Sequence, residues 1–196
     1  MDIKPVTLDG KRIRMEPMRA DHLDALAEAG GFAELWKWTT TRADTREQME
    51  IYMNAAFKDA AAGTALPFVT IDKGSGRIIG SSRFGNIDPA NKRAEIGWTW
   101  ITPEFQRTYV NSEAKYLMLR HAFEVWGCIR VELKTDFLNS KSRNAMLRMG
   151  ATEEGVLRKH QIMYDGRYRN TIYYSVLDTE WPEVKEKLEG FIARAQ

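Results

Sequence analysis

Between Arg93 and Thr135 the hydrophobic period of the chain changes twice, and this limits the folds open to it. Residues 93–101 (RAEIGWTWI) read as a strand. Residues 112–126 place Ala114, Leu117, Met118, Ala122 and Val125 at helical steps, and residues 130–135 (RVELKT) alternate again. Strand, helix and strand in that order form a crossover unit whose two strands lie parallel and adjacent. The join inside it, EIGWTWITPEFQRTYVNSEAK from Glu95 to Lys115, passes through a proline-marked loop into a helix N-terminus. The first N–H groups there lack an intrahelical acceptor and lie at the positive end of the helix dipole, so a join of this kind holds anions such as phosphates.

The flanking segments supply antiparallel partners. Residues 3–18 alternate around Asp9-Gly10 as a hairpin or two short strands. Asp21 is read as the N-cap of a short helix that stops at Gly30-Gly31, and Thr45 with Glu47 and Gln48 as the cap of a longer one that ends at Gly63. Leu66–Ile71, a turn at Lys73–Gly76 and Arg77–Asn86 then lead into strand 93–101 as a meander. After strand 130–135, Asn139 or Ser140 starts a helix over 142–149 that Gly150 closes. Strands 156–163 and 168–177 turn at Asp165-Gly166, and a polar helix over 181–195 begins with Pro182 just inside its start. The order predicts one mixed α/β domain over residues 1–196, an antiparallel meander with one central parallel crossover. In that arrangement the starts of helices 112–126 and 142–149 converge on one edge of the sheet.

A formal net charge of +2 lacks the basic excess of a general nucleic-acid binder, and none is expected as a partner. Arg158-Lys159-His160 and Arg167-x-Arg169 flank a turn and read as a solvated face. Cys128 is the only cysteine, which excludes an intramolecular disulfide and a CxxC zinc site; it reads as a small buried thiol. His121 and His160 read as structural or exposed groups, and no metal is expected. The N-terminus lacks an apolar leader core and no run reaches membrane-span length, so the expectation is a soluble cytoplasmic protein without a membrane partner. Trp36 and Trp38 occupy an irregular stretch between the first two helices, equally open to a core role and to a substrate-facing wall.

The motif AEIGWTWITPEFQ, together with DFLNSKSRNAMLRMGA and EGVLRKH, resembles the GNAT acetyltransferase superfamily across nearly the whole chain. Within it the similarity is to the branch of ribosomal-protein alanine N-terminal acetyltransferases, carried most specifically by Asn139-x-x-Ser142 and Met149-Gly150-Ala151. The resemblance implies a GNAT-like acyl-CoA N-acyltransferase fold that binds acetyl-CoA between the two parallel strands. The acetyl group would pass directly to a primary amine, on a peptide N-terminus or a small molecule. It implies that backbone groups of Thr99, Trp100, Ile101 and Thr102 pair with the pantetheine arm and polarise the thioester carbonyl. The loop Gln106-Arg107-Thr108-Tyr109-Val110-Asn111 would hold the diphosphate, with Asn139 on the pantetheine amides and Arg143 toward the phosphates or adenosine. Glu95 is implied as general base and Ser142 as the group that meets the departing sulfur. Trp36 and Trp38 would line the acceptor side. Association with a second copy is left open.

Two departures accompany the resemblance. The family's loop places glycines where this chain has Tyr109 and Asn111, which predicts a narrowed phosphate cradle. A tyrosine used elsewhere as an acid corresponds to Met146. The alternative reading is therefore a GNAT-shaped domain that binds its ligand weakly and serves as an interaction module.

Overall fold

A computed structural model describes residues 1–194; Ala195, the expected end of the last helix, lies outside them. One eight-stranded sheet runs in the order β1-β2-β3-β4-β5-β6-β8-β7. Its strands are β1 (Leu8–Asp9), β2 (Ile13–Pro17), β3 (Leu66–Asp72), β4 (Ile78–Asp88), β5 (Arg93–Ile101), β6 (Arg130–Asp136), β7 (Thr152–Ile162) and β8 (Tyr168–Leu177). Every neighbouring pair is antiparallel except β5 and β6. The single parallel pair is the one that the period change between Arg93 and Thr135 predicts.

The helices cover the two faces separately. Helices α1 (Leu23–Gly30) and α2 (Arg46–Ala61) close one face over Trp36, Met49, Val69 and Trp100. Helices α3 (Val110–Arg120), α4 (Ser140–Met149) and α5 (Trp181–Arg194) close the other over Phe68, Phe84, Ile96, Val131 and Tyr174. Strands β3 and β4 thus bury both faces, as their near-continuous burial shows.

Local chemistry places the helix ends, sometimes differently from the expectation. Thr45 Oγ1 accepts from Gln48 N at 3.3 Å, and Asn139 Oδ1 accepts from Ser142 N at 3.2 Å, so both are N-caps. Gly150 ends α4 at φ 104°. Asp21 is not a cap: a 3-10 turn over 20–22 precedes α1, and His22 Nδ1 accepts from Arg19 N there. Helix α3 begins at Val110 rather than Ser112, because Thr108 Oγ1 accepts from Val110 N at 3.3 Å while donating to Phe105 O at 2.7 Å. Its last turn, 121–125, widens to π geometry.

Cys128 is 2% exposed, and burial pushes its thiol up to about 11, in keeping with a structural thiol. His121 is buried against Phe84 and Trp126, with burial lowering its pKa, and His160 is exposed beside Tyr173. The basic cluster is not one solvated face. Arg169 is 7% exposed and Arg167 Nη2 donates to the buried Asp136 Oδ2 at 2.6 Å, because the hairpin folds these two arginines inward.

Candidate active site

Strands β5 and β6 pair only at Arg93–Arg130, Ala94–Val131 and Glu95–Glu132, and then separate. Beyond Glu95 the β6-facing edge of β5 has no strand partner, which leaves backbone donors and acceptors open along a wedge-shaped gap. An extra residue in β5 contributes to this. The β4–β5 register slips between Ser81–Trp100 and Arg83–Gly97, and Trp98 sits at φ 51°. Its ring lies against Gly85, where an added Cβ would come within 2.3 Å of the indole, so that glycine is required by close approach.

The inserted residue also reverses which face each β5 side chain meets. Ala94 and Ile96 pack with α3, and Glu95 between them points to the opposite face. Past the bulge, Trp100 joins the α1–α2 cluster while Thr99 reaches α3. Glu95 is 2% exposed at the apex of the gap. Its Oε2 accepts from Asn86 Nδ2 at 2.7 Å and pairs with Lys134 Nζ at 2.8 Å. Neither of its chain neighbours Lys92 and Arg93 pairs with it. Arg93 instead joins Asp88 at 3.2 Å and Glu132 at 3.1 Å, because the bulge at Asn86 (φ 46°) brings Asp88 alongside it.

At the outer end of the gap the loop behaves differently from its glycine-free reading. Tyr109 is in ordinary helical geometry, and its hydroxyl donates to Asp72 Oδ1 at 2.7 Å with Arg12 over the ring. The phenol is thereby held toward the β3–β4 turn. Asn111 lies inside α3 and needs no positive φ. The left-handed residue is the exposed Arg107, at φ 64°. The narrowed cradle predicted from Tyr109 and Asn111 is therefore corrected, because the required backbone freedom falls at neither position. The α3 ladder opens only with Glu113 N to Tyr109 O, so the first-turn N–H groups precede it.

Tyr109→Phe is expected to lower stability by about 1.5–3 kcal/mol, the value of a hydrogen bond to a charged group. Burial alone would raise the Asp72 pKa, but hydrogen bonds from Tyr109 and Ser75 hold it below its ordinary value. A lowered carboxylate pKa contributes stability above the unfolded value that is lost as pH falls through the folded one. Urea titrations of wild type and variant should accordingly differ at neutral pH and converge in acid.

Thr102 N donates to Ile79 O at 2.8 Å, so that N–H is engaged by β4. Gln106 Nε2 donates to Ile101 O at 3.0 Å and so occupies that carbonyl. On α4, Ser142, Ala145 and Met149 share one face by their spacing, and Ala145, Arg148 and Met149 line a narrow cleft with Asn111, Ser112, Lys115, Leu188 and Phe191. Arg143 occupies the opposite face. Its Nε donates to Tyr174 Oη at 3.3 Å and its Nη1 to Phe137 O at 3.2 Å, which directs it away from that cleft. Trp36 is 1% exposed and belongs to the core. Trp38 is half-buried beside the β7–β8 hairpin, with Arg167 5.7 Å from its ring.

Residues missed in the sequence complete the gap. Lys134 neutralises Glu95, and Trp98 stands beside Arg83 (4.8 Å) and receives the Tyr52 hydroxyl on its carbonyl at 3.3 Å. Lys115 reaches Thr99 Oγ1 at 2.9 Å from α3. Lys115 interrupts the apolar run Ala114, Leu117, Met118, and a charge among core positions was the available signal.

The sequence model of the acetyltransferase (GNAT) domain family matches residues 12–152. A GCN5-related N-acetyltransferase from Brucella melitensis superposes with a TM-score of 0.90 at 33% identity, over 97% of this chain and 87% of that one. YdaF of Bacillus subtilis (strain 168), provisionally named a ribosomal N-acetyltransferase, is 34% identical over 106 residues, 54% of this chain and 57% of its own length. The ribosomal-protein-serine acetyltransferase of Escherichia coli (strain K12) is 28% identical over 103 residues, 53% of this chain and 57% of its own. The matched region therefore spans a little over half the length of these two curated relatives.

Proposed function

Since this chain belongs to the GNAT acetyltransferase family, we propose that it is an acetyl-CoA-dependent acyltransferase whose acceptor is the N-terminal amine of a protein, with ribosomal proteins as the substrate class. The observation that carries the reading is the apex of the gap, where parallel strands part at Glu95 and a carboxylate stands beside unpaired backbone. The extended pantetheine arm would add to the free edge of β5 as a strand does, and its diphosphate would meet the first turn of α3. An N–H of that edge holds the thioester oxygen as it gains negative charge. Glu95 takes a proton from the incoming ammonium, directly or through water, so that the neutral amine attacks. Ser142 bonds the sulfur from α4, and Trp38 with Trp98 forms the aromatic side of the acceptor groove.

The names of the two curated relatives direct the substrate class toward ribosomal proteins. An interaction-only module was motivated by the side chains of Tyr109 and Asn111, and neither stands in the way of the α3 first turn. The test is incubation with acetyl-CoA and synthetic peptides that copy ribosomal-protein N-termini beginning with Ser or Ala. We expect thiol release matched by the mass gain of one acetyl group on the α-amine. Acetylation of small amines in preference to every peptide would overturn the substrate class.

A further inference from the structure

Lys115 is a buried cation without a counter-charge. It is 7% exposed, its ammonium has Thr99 Oγ1 as hydrogen-bond partner at 2.9 Å, and among the described residues no carboxylate pairs with it. Thr99 is itself engaged by Ser82 Oγ at 2.7 Å. The neighbouring acid on the same helix, Glu113, faces elsewhere and accepts from Arg12 N at 3.0 Å. The other charged side chain that lines the cleft beside Lys115 is Arg148, and α5 contributes the apolar Leu188 and Phe191. An ammonium buried among hydroxyls and apolar groups is costly unless an arriving group compensates it.

Its place is more specific than the cleft. Thr99 belongs to the part of β5 that has lost β6 as a partner, so the Lys115 ammonium lies along the gap and not at the α3 N-terminus. The bulge at Trp98 sends Glu95 to one face of the sheet and Thr99 with Lys115 to the other. A base and a cation therefore approach the gap from opposite faces.

Resting on the reading of this site as an N-acetyltransferase, we propose that Lys115 is a catalytic residue whose ammonium supplies the proton to the departing thiolate. The neutral amine nitrogen forms a bond to the acetyl carbon, and the carbon–sulfur bond breaks with its electron pair going to sulfur. Glu95, having passed the ammonium's first proton to water, takes the excess proton on nitrogen and returns it to solvent. Sulfur takes a proton from Lys115, which gives CoA thiol and a neutral lysine, and the lysine recovers a proton from solvent as the thiol departs. Amine and thioester become amide and thiol with nothing left over. Burial pushes the lysine down to about 8, near the ordinary value of a thiol, which favours this exchange. Ser142 can bond the sulfur, but its alcohol proton is too tightly held to be given up without replacement.

The experiment uses Lys115→Met, which keeps the length and removes the charge, and Lys115→Arg, which keeps the charge but does not release a proton near neutral pH. Ultraviolet absorbance of the thiolate is titrated in the CoA complex, and kcat is measured with acetyl-CoA and an acceptor peptide. Bound CoA should ionise at lower pH in the wild type and Lys115→Arg than in Lys115→Met. Both variants should lose about 10²–10⁴-fold in kcat. Lys115→Met should melt no lower than the wild type, since it removes an uncompensated charge. Wild-type kcat in Lys115→Met, or full rescue by Arg, would overturn proton donation while leaving the transferase reading intact. A wild type that neither binds CoA nor releases thiol would instead bring down the transferase reading, and this proposal with it.

Discussion

Glu95→Gln is expected to lower kcat for amine acetylation by about 10²–10⁴-fold while acetyl-CoA affinity stays close to that of the wild type. The amide keeps the size of the side chain and can still accept from Asn86, so the apex of the gap retains its shape. It cannot take a proton from the acceptor. The substitution also leaves Lys134 without its anion, and because Lys134 retains 18% side-chain exposure the cost should be about 1–3 kcal/mol. Glu95→Gln combined with Lys134→Met separates the two effects, since it removes both charges. The double variant should recover stability and remain slow. If Glu95→Gln turns over at the wild-type rate, the carboxylate serves only to pair with Lys134.

Trp36→Ala is expected to cost about 3–5 kcal/mol, read from the midpoint of urea unfolding. The indole is 1% exposed, meets Tyr52 and Trp100 at ring distances of 5.6 Å each, and donates from Nε1 to Gly30 O at 2.9 Å. Removal creates a cavity in the smaller core and takes one of its two donors from the Gly30 carbonyl, which keeps Phe32 N at 2.8 Å. Gly30 is part of the same construction, since a Cβ there would come within 2.6 Å of Met49 Cε. A tryptophan serving as a substrate wall would behave in the opposite way, with a raised acceptor KM and little change in stability.

Comparison of these two residues shows what a single sequence discloses. That Glu95 lies on a strand beside a parallel crossover was legible from the hydrophobic period, whereas its proposed role came only through the resemblance to the GNAT family. Its ion-pair partner was not legible. Lys134 is far from Glu95 in the chain, and an inserted residue at Asn86 moved the nearer candidate, Arg93, to Asp88. Trp36 and Trp38 look alike in sequence, and only the packing of α1 against α2 sends one into the core and leaves the other beside the hairpin. The loop after β5 failed in the same way. The resemblance set glycine positions at Tyr109 and Asn111, whereas the backbone places its positive φ at Arg107, where an exposed side chain offers no cue. Lys115 was overlooked because a lysine in a helix is ordinarily solvated, and its burial depends on α3, α4 and α5 meeting over the split sheet.

The buried Cys128 has a practical side. An acetyl-CoA-consuming enzyme accumulates a free thiol as it turns over, and a low-pKa exposed cysteine would trap that product as a mixed disulfide once any oxidant entered. Here the sole protein thiol is shielded by the core and held in its unreactive protonated form. With the proposed activity, the protein should therefore tolerate CoA thiol through long incubations, and colorimetric thiol counting should record acetyl transfer without a contribution from the native polypeptide.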